Sequence, residues 1–240
     1  MLRSPILLGA ALVLAAIGEC SAFEGGARAR IATDAIRLAP PVLARQIRRN
    51  RSHLIDGARS EPPPSSPEDA ARRLAADTND AVDQINSHKP FRRIVETLGK
   101  LASTIATLND PLWGGVGRAE RADAGSFAIF FSDRIDRFPL VFDGWGAPLE
   151  GGDMAAFAAT IRDRYRIDSE RLRVAYHPPG GGRVLPEDFD DRSVPFAIAS
   201  LAYSHAVTDV AEVWIHVWRR ANGDLVGTPH LAQASKGGRR

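Results

Sequence analysis

Phe91-Arg-Arg-Ile-Val-Glu-Thr-Leu-Gly-Lys-Leu-Ala-Ser-Thr-Ile-Ala-Thr-Leu108 is the most regular stretch of the chain. Phe91, Ile94, Val95, Leu98, Leu101, Ala102, Ile105 and Leu108 recur at the i, i+3, i+4, i+7 spacing that gathers apolar side chains on one face of an α-helix. Asn109-Asp110-Pro111 stops it. So apolar a face has to be covered, and the flanking sequence supplies helices to cover it. Residues 60–67 form a Ser/Pro-rich linker ending in a helix start: Ser66 as N-cap, Pro67 at the first position, and Glu68 and Asp69 in the first turn. That helix is expected to run to about Ser87.

Further upstream, Ile31, Ala35 and Leu38 share a face over 27–39. Pro41 opens another helix with Val42, Leu43 and Ile47 inward, and Leu54 and Ile55 make a short apolar contact before Gly57. Downstream, 114–125 is rich in Gly and charge and reads as a mobile loop, while Phe127, Phe130, Phe131 and Phe138 predict a helix over 126–138. Residues 139–152 read as irregular. Asp153 caps a helix holding Met154, Phe157, Ile161 and Tyr165, a short helix covers 168–176, and 177–192 is a long loop. Ser193 with Pro195 starts the last and longest helix, which ends near Asn222-Gly223. No strand alternation, hairpin dipeptide or internal repeat appears. The expected architecture is all-α: one domain over 23–223, a bundle of about seven to nine helices, with a flexible tail at 224–240.

Composition bounds the function. Of 240 residues, 44% are hydrophobic and 25% charged, as in a globular protein. Lys+Arg is 31 against Asp+Glu 29, a net charge of +2, too small an excess for a polybasic nucleic-acid binder. The single cysteine excludes an intrachain disulfide and thiolate metal clusters. At the N-terminus, Arg3 precedes the apolar run Ile6 to Ile17, which falls short of the roughly 20 residues that span a bilayer. Small residues at Cys20 and Ala22 suit cleavage after Ala22. Residues 1–22 therefore read as a secretory signal peptide, the mature chain is expected to be exported (periplasmic or secreted), and no transmembrane span is expected in it.

Two constellations carry chemistry. Residues 28–59 hold arginines at 28, 30, 37, 45, 48, 49, 51 and 59 against Asp34 and Asp56, a basic face that is either simply solvated or touches anionic lipid or phosphate. On the last helix His205, Asp209, Glu212 and His216 are spaced 4, 3 and 4, within an arc of about 60°. One straight helix rarely gives four ligands to one ion, since His205 and His216 are three turns, about 16 Å, apart. The plainest reading of this stripe is a solvent-facing row with i, i+4 contacts. The alternatives are the lining of a polar cleft, or a His205/Asp209 pair joined by a metal ligand from elsewhere. Walker, G-x-S-x-G and H-E-x-x-H patterns are absent.

Leu98-Gly-Lys-Leu-Ala-Ser-Thr-Ile-Ala-Thr-Leu-Asn-Asp-Pro-Leu-Trp113 resembles the central motif of the zinc-dependent phospholipase C and single-strand-specific nuclease superfamily. There the helix reads L-G-x-x-x-H-x-x-x-D followed by P-L-H, with His, Asp and His as zinc ligands. The opening of the chain is similar too, with Pro40-Pro41-Val-Leu43 between two helices and Leu54-Ile-Asp-Gly-Ala58 before an acidic ligand position near Glu61. Such proteins begin, after signal removal, with a Trp that binds zinc through its amino group and carbonyl, and in the nucleases a His follows five residues later. The resemblance covers 23–113 well and the rest loosely. It implies a phospholipase C/nuclease-like helical fold, but the ligand positions hold Phe23, Arg28, Ser103, Thr107 and Trp113. These side chains are not zinc ligands, and Arg28 brings a positive charge to the ion's place. The expectation is an exported pseudoenzyme without catalytic residues or cofactor, acting as a binding or structural module. The alternative is a phosphodiester hydrolase whose zinc site has moved to His205, Asp209, Glu212 or His177.

Overall fold

The computed structural model describes residues 23–114, 118–146, 149 and 152–231, and these form an all-α structure. Nine α-helices lie among them: α1 Gly25–Ala35, α2 Pro41–Arg49, α3 Arg51–Ser60, α4 Pro67–Asn86, α5 Phe91–Leu108, α6 Arg118–Arg134, α7 Met154–Arg164, α8 Arg166–Tyr176 and α9 Val194–Arg220. Short 3-10 turns occupy Ile135–Arg137 and Pro186–Asp188. The proposed signal segment, 1–22, lies outside the described residues, as does 232–240. No helix among the described residues is long and apolar enough to cross a membrane.

The expected caps form. Ser66 Oγ accepts from the Asp69 N–H at 3.1 Å, Asp153 Oδ1 from the Ala155 and Ala156 N–H groups at 2.9 and 3.0 Å, and Ser193 Oγ from the Phe196 N–H at 3.3 Å. α5 and α9 are the central helices. Every residue from Ala206 to Trp218 is buried, so this part of α9 is covered all round, and α1, α4, α5, α6 and α8 all pack against the helix. Trp214 Nε1 donates to the Leu98 carbonyl at 3.1 Å and ties the two together.

α3 and α5 meet backbone to backbone. A Cβ on Gly99 would lie 2.4 Å from the Leu54 carbonyl oxygen, and one on Gly57 2.1 Å from that of Glu96. Both positions therefore need glycine for contact rather than for conformation. The close approach makes 51–60 a full helix where the sequence suggests only a short contact.

Three boundaries differ from expectation. α1 stops at Ala35 and 36–39 turn towards Pro40-Pro41, because the residue before a proline avoids helical backbone. The stretch expected as a mobile loop at 114–125 is helical from Arg118 onward, with Asp123 and Ala124 buried. The tail expected to fray from 224 packs as far as His230: Thr228 is buried and the His230 ring stacks on Phe142 at 4.3 Å.

Candidate functional site

The first place to build is the set of positions singled out on α1 and α5. Arg28 is 7% exposed. Its Nε donates to the Phe23 carbonyl, and its Nη1 donates to the Glu61 carbonyl and to Ser103 Oγ, both at 2.9 Å. Burial pushes its pKa down, and the charges of Glu24 and Asp110 oppose that. A guanidinium keeps its proton in such a setting. Phe23 is fully buried with its ring 4.5 Å from Phe131, which itself adjoins Phe127 and Phe138. Phe23, Arg28 and Ser103 thus meet, with the Glu61 backbone beside them, while the Glu61 carboxylate turns to Lys100 at 3.3 Å.

Thr107 and Trp113 do not join that cluster. Thr107 Oγ1 donates to the Ser103 carbonyl at 3.0 Å. Trp113 lies under the Arg162 guanidinium, 5.1 Å from the ring centre. Arg162 donates to the Leu108, Asp110 and Trp113 carbonyls at 3.2, 2.8 and 3.0 Å, capping the end of α5. Zinc at the Arg28 cluster would need imidazole, carboxylate or thiolate donors. The side chains that bond or pack there are a guanidinium, a hydroxyl and phenyl rings, and although the Glu24 and Asp110 charges act on Arg28, a guanidinium at that place does not fit the ion. Among the described residues no group of three or more His, Cys, Asp or Glu is placed to hold a metal.

The second place is on α9. The solvent-facing reading of its stripe is overturned: Asp209, Glu212 and His216 are 4%, 8% and 8% exposed. The cause is the segment 139–146 and α7, which cover that face of the helix. His205, Thr208, Asp209 and Glu212 line a cavity of about 210 Å³ with Phe157, Ile161 and Arg164 of α7 and residues 143–146. His216 is not part of it. That ring lies against Gly152, bonds to the Leu149 backbone, and has an Nε2 without a partner among the described residues. His177 is elsewhere, 2.9 Å from Asp123.

Beside the cavity a chain of polar groups runs from the end of α5, through buried Asn109 and Tyr165, to Asp143 at its mouth. Asp209 Oδ2 accepts from Asn109 Nδ2 at 2.9 Å and from Arg164 Nη1 at 3.1 Å. Asn109 Oδ1 accepts from the Tyr165 hydroxyl at 2.8 Å, which also sits 3.2 Å from His205 Nδ1. His205 Nε2 is 3.1 Å from Asp143. Glu212 is the weakly held member: one carboxylate oxygen accepts the Gly146 N–H at 3.3 Å, and no cation pairs with it among the described residues. Burial, then the neighbouring Asp209, push its pKa from 4.5 up to about 7. Burial also raises Asp209, against the pull of Arg164 and Asn109, and lowers His205, which Arg164 lowers further.

The arrangement can do two things: hold a small molecule, and exchange a proton near neutral pH through Glu212. Asn109, Asp143, Arg164 and Tyr165 were not singled out in the sequence. Asn109 reads there as a helix stop, and the others have no spacing in common with the stripe. A larger concavity, about 590 Å³, lies between α4 and α7, lined by alanines and by polar side chains such as Asn79 and Arg220, which bond to each other at 2.8 Å. No family model, curated protein or solved structure matches the chain.

Proposed function

We propose that this chain is a metal-free relative of the zinc-dependent phospholipase C and single-strand-specific nuclease superfamily, with a phospholipase C/nuclease-like helical fold, acting after export as a non-catalytic binding or structural module. One observation carries the reading. Arg28 bonds to the Phe23 carbonyl and to Ser103 Oγ, 75 residues away, so three positions that the resemblance assigns to zinc ligands meet around a fixed positive charge. An arginine there supplies its own cation and its own donors, the electrostatic role the ion would otherwise play for the surrounding carbonyls. A hydrolase with a relocated metal site finds less support: His205, Asp209 and Glu212 share one cavity, but His216 and His177 lie outside it. Metal analysis of the purified chain tests the reading, together with hydrolysis of bis(p-nitrophenyl) phosphate with and without chelator. The expected results are far less than one zinc per chain and no chelator-sensitive turnover. Stoichiometric zinc with turnover that chelator abolishes would overturn it.

What the module binds is suggested by the basic face. Arg37, Arg45, Arg48 and Arg49 line one groove of about 540 Å³ between the end of α1, α2 and residues 227–229. Arg37 pairs with Asp34, whereas Arg45, Arg48 and Arg49 are exposed and have no carboxylate partner among the described residues. Val42 on the same helix and Val226 beside Gly227 are 40% and 81% exposed. Arginines flanked by exposed aliphatic side chains suit the surface of an anionic bilayer. Each exposed arginine contributes about 1 kcal/mol there, so an R45A/R48A/R49A variant is expected to bind phosphatidylserine vesicles more weakly by roughly two orders of magnitude. Binding that ignores lipid charge and ionic strength would refute it.

A further inference from the structure

The cavity against α9 has a chemistry of its own, independent of the ancestry proposed above. Its charges are unevenly matched. Asp209 and Arg164 neutralise each other at 3.1 Å, and Asp143 at the mouth is 56% exposed and solvated, 3.1 Å from a His205 ring that burial keeps towards its neutral form. Glu212 remains, more than nine-tenths buried, with a single long bond from a backbone N–H. The large apolar side chains of the lining are Trp145, Phe157 and Ile161. Trp145 contributes its ring face here; its Nε1–H, buried without a partner among the described residues, is a donor that a cation does not satisfy. A volume of about 210 Å³ has room for roughly seven water-sized groups.

We propose that this cavity binds a small primary-amine cation with a short aliphatic chain, Glu212 receiving the ammonium and Trp145, Phe157 and Ile161 enclosing the chain. Each competing class meets an obstacle on the same residues. An anion would face Glu212 and Asp143, and the one cation in the cavity, Arg164, is already neutralised by Asp209. A neutral molecule would fill the space but leave the Glu212 charge uncompensated in a poorly solvated setting. A metal ion needs several convergent ligands, and no such group exists among the described residues. An ammonium has three N–H donors, one for a carboxylate and two for other acceptors or water, and it gains from an aromatic face when desolvated.

The probe is n-butylammonium, compared with n-butanol and butyrate at equal concentration. The full chain is titrated near pH 8, where Glu212 is ionised, by isothermal calorimetry and by following the Gly146 amide in nitrogen–proton NMR spectra. The expected result is one saturable site for butylammonium, with butanol and butyrate at least tenfold weaker. The Gly146 resonance is expected to move with saturation, because that N–H bonds to the carboxylate the ammonium reaches. Glu212→Gln is expected to weaken butylammonium at least tenfold and leave butanol unchanged. Equal binding of the three probes, saturation without a shift at Gly146, absence of saturation, or undiminished binding by Glu212→Gln would each overturn the proposal. The probe comparison on the unaltered chain decides the matter even where the variant fails to fold.

Discussion

Glu212→Gln isolates the effect of one buried charge on the stability of the whole chain. Glu212 is 8% exposed and accepts a single N–H, from Gly146 at 3.3 Å. Burial and the charge of Asp209 raise its pKa from 4.5 to about 7, against the Gly146 N–H, Arg164 and Arg219. In the unfolded chain the same carboxyl titrates near its ordinary value. Between those two pH values the native state therefore holds more protons than the unfolded state, and stability falls as pH rises through the window. Below it the carboxyl is protonated in both states; above it the loss is complete and constant. A displacement of that size, at 1.36 kcal/mol for each pH unit, amounts to roughly 3 kcal/mol. Glutamine keeps an oxygen for the Gly146 N–H and never ionises. The variant is expected to match the parent within about 0.5 kcal/mol near pH 4 and to exceed it by roughly 3 kcal/mol near pH 8. Urea unfolding of both chains across this range, followed by circular dichroism, measures the difference. Asp77, raised to about 6 by burial, and His205, lowered by burial and Arg164, titrate in both chains and cancel to first order. Glu212 would not be the buried, poorly compensated charge described here if the gap between the chains were independent of pH, or if the variant were the weaker one near pH 8.

Other perturbations test other parts of the molecule. Gly99→Ala places a methyl 2.4 Å from the Leu54 carbonyl oxygen, and the overpacking outweighs the roughly 1 kcal/mol that alanine gains in a helix. A net loss of about 2 kcal/mol, seen as a fall in Tm of roughly 4–8 °C, is expected by calorimetry, and an unchanged Tm would mean that α3 and α5 are not in backbone contact. Arg28→Met leaves the Phe23 and Glu61 carbonyls without their buried donor and is expected to cost about 3 kcal/mol by urea unfolding. A neutral result would remove the guanidinium from the centre of that cluster. Tyr165→Phe deletes the hydroxyl between Asn109 and His205 and is expected to cost about 1–2 kcal/mol in the same assay, with the fold otherwise intact.

How much of this was legible in the sequence depended on whether the cause was local. The α5 period, the caps at Ser66, Asp153 and Ser193, and the length of α9 are set within a few residues of chain, and they read correctly. The first half of α6 did not, because Arg-Ala-Glu-Arg-Ala-Asp-Ala-Gly over 118–125 offers only alanine as apolar signal. Its helical form is fixed by burial of Asp123 and Ala124 against the rest of the fold. Gly57 had the same effect on α3: within its own segment it weakens a helix, and only the approach of Gly99 explains why it stands there. On α9 the spacing of His205, Asp209 and Glu212 was read correctly and their exposure was not. Exposure is decided by α7 and 139–146, whose positions no pattern within α9 encodes.

The two polar clusters are built from the same helix and differ in one respect that bears on function. At Ser103, α5 meets a guanidinium whose Nε and Nη1 serve two carbonyls and a hydroxyl, so those acceptors have their donor within the fold. At Asn109, just past the end of α5, the chain through Asp209, Arg164, Tyr165 and His205 is likewise closed, each group having a partner within 3.2 Å. Glu212 adjoins this second network without being closed by it. A buried carboxylate with one weak donor lowers stability wherever it is ionised, and an isosteric amide would remove that penalty. Its presence beside Trp145 and Phe157 makes physical sense if a cation from outside completes it. The place to look for what this protein binds is therefore a buried carboxylate that no cation pairs with among the described residues, not the cluster where the resemblance would put a metal.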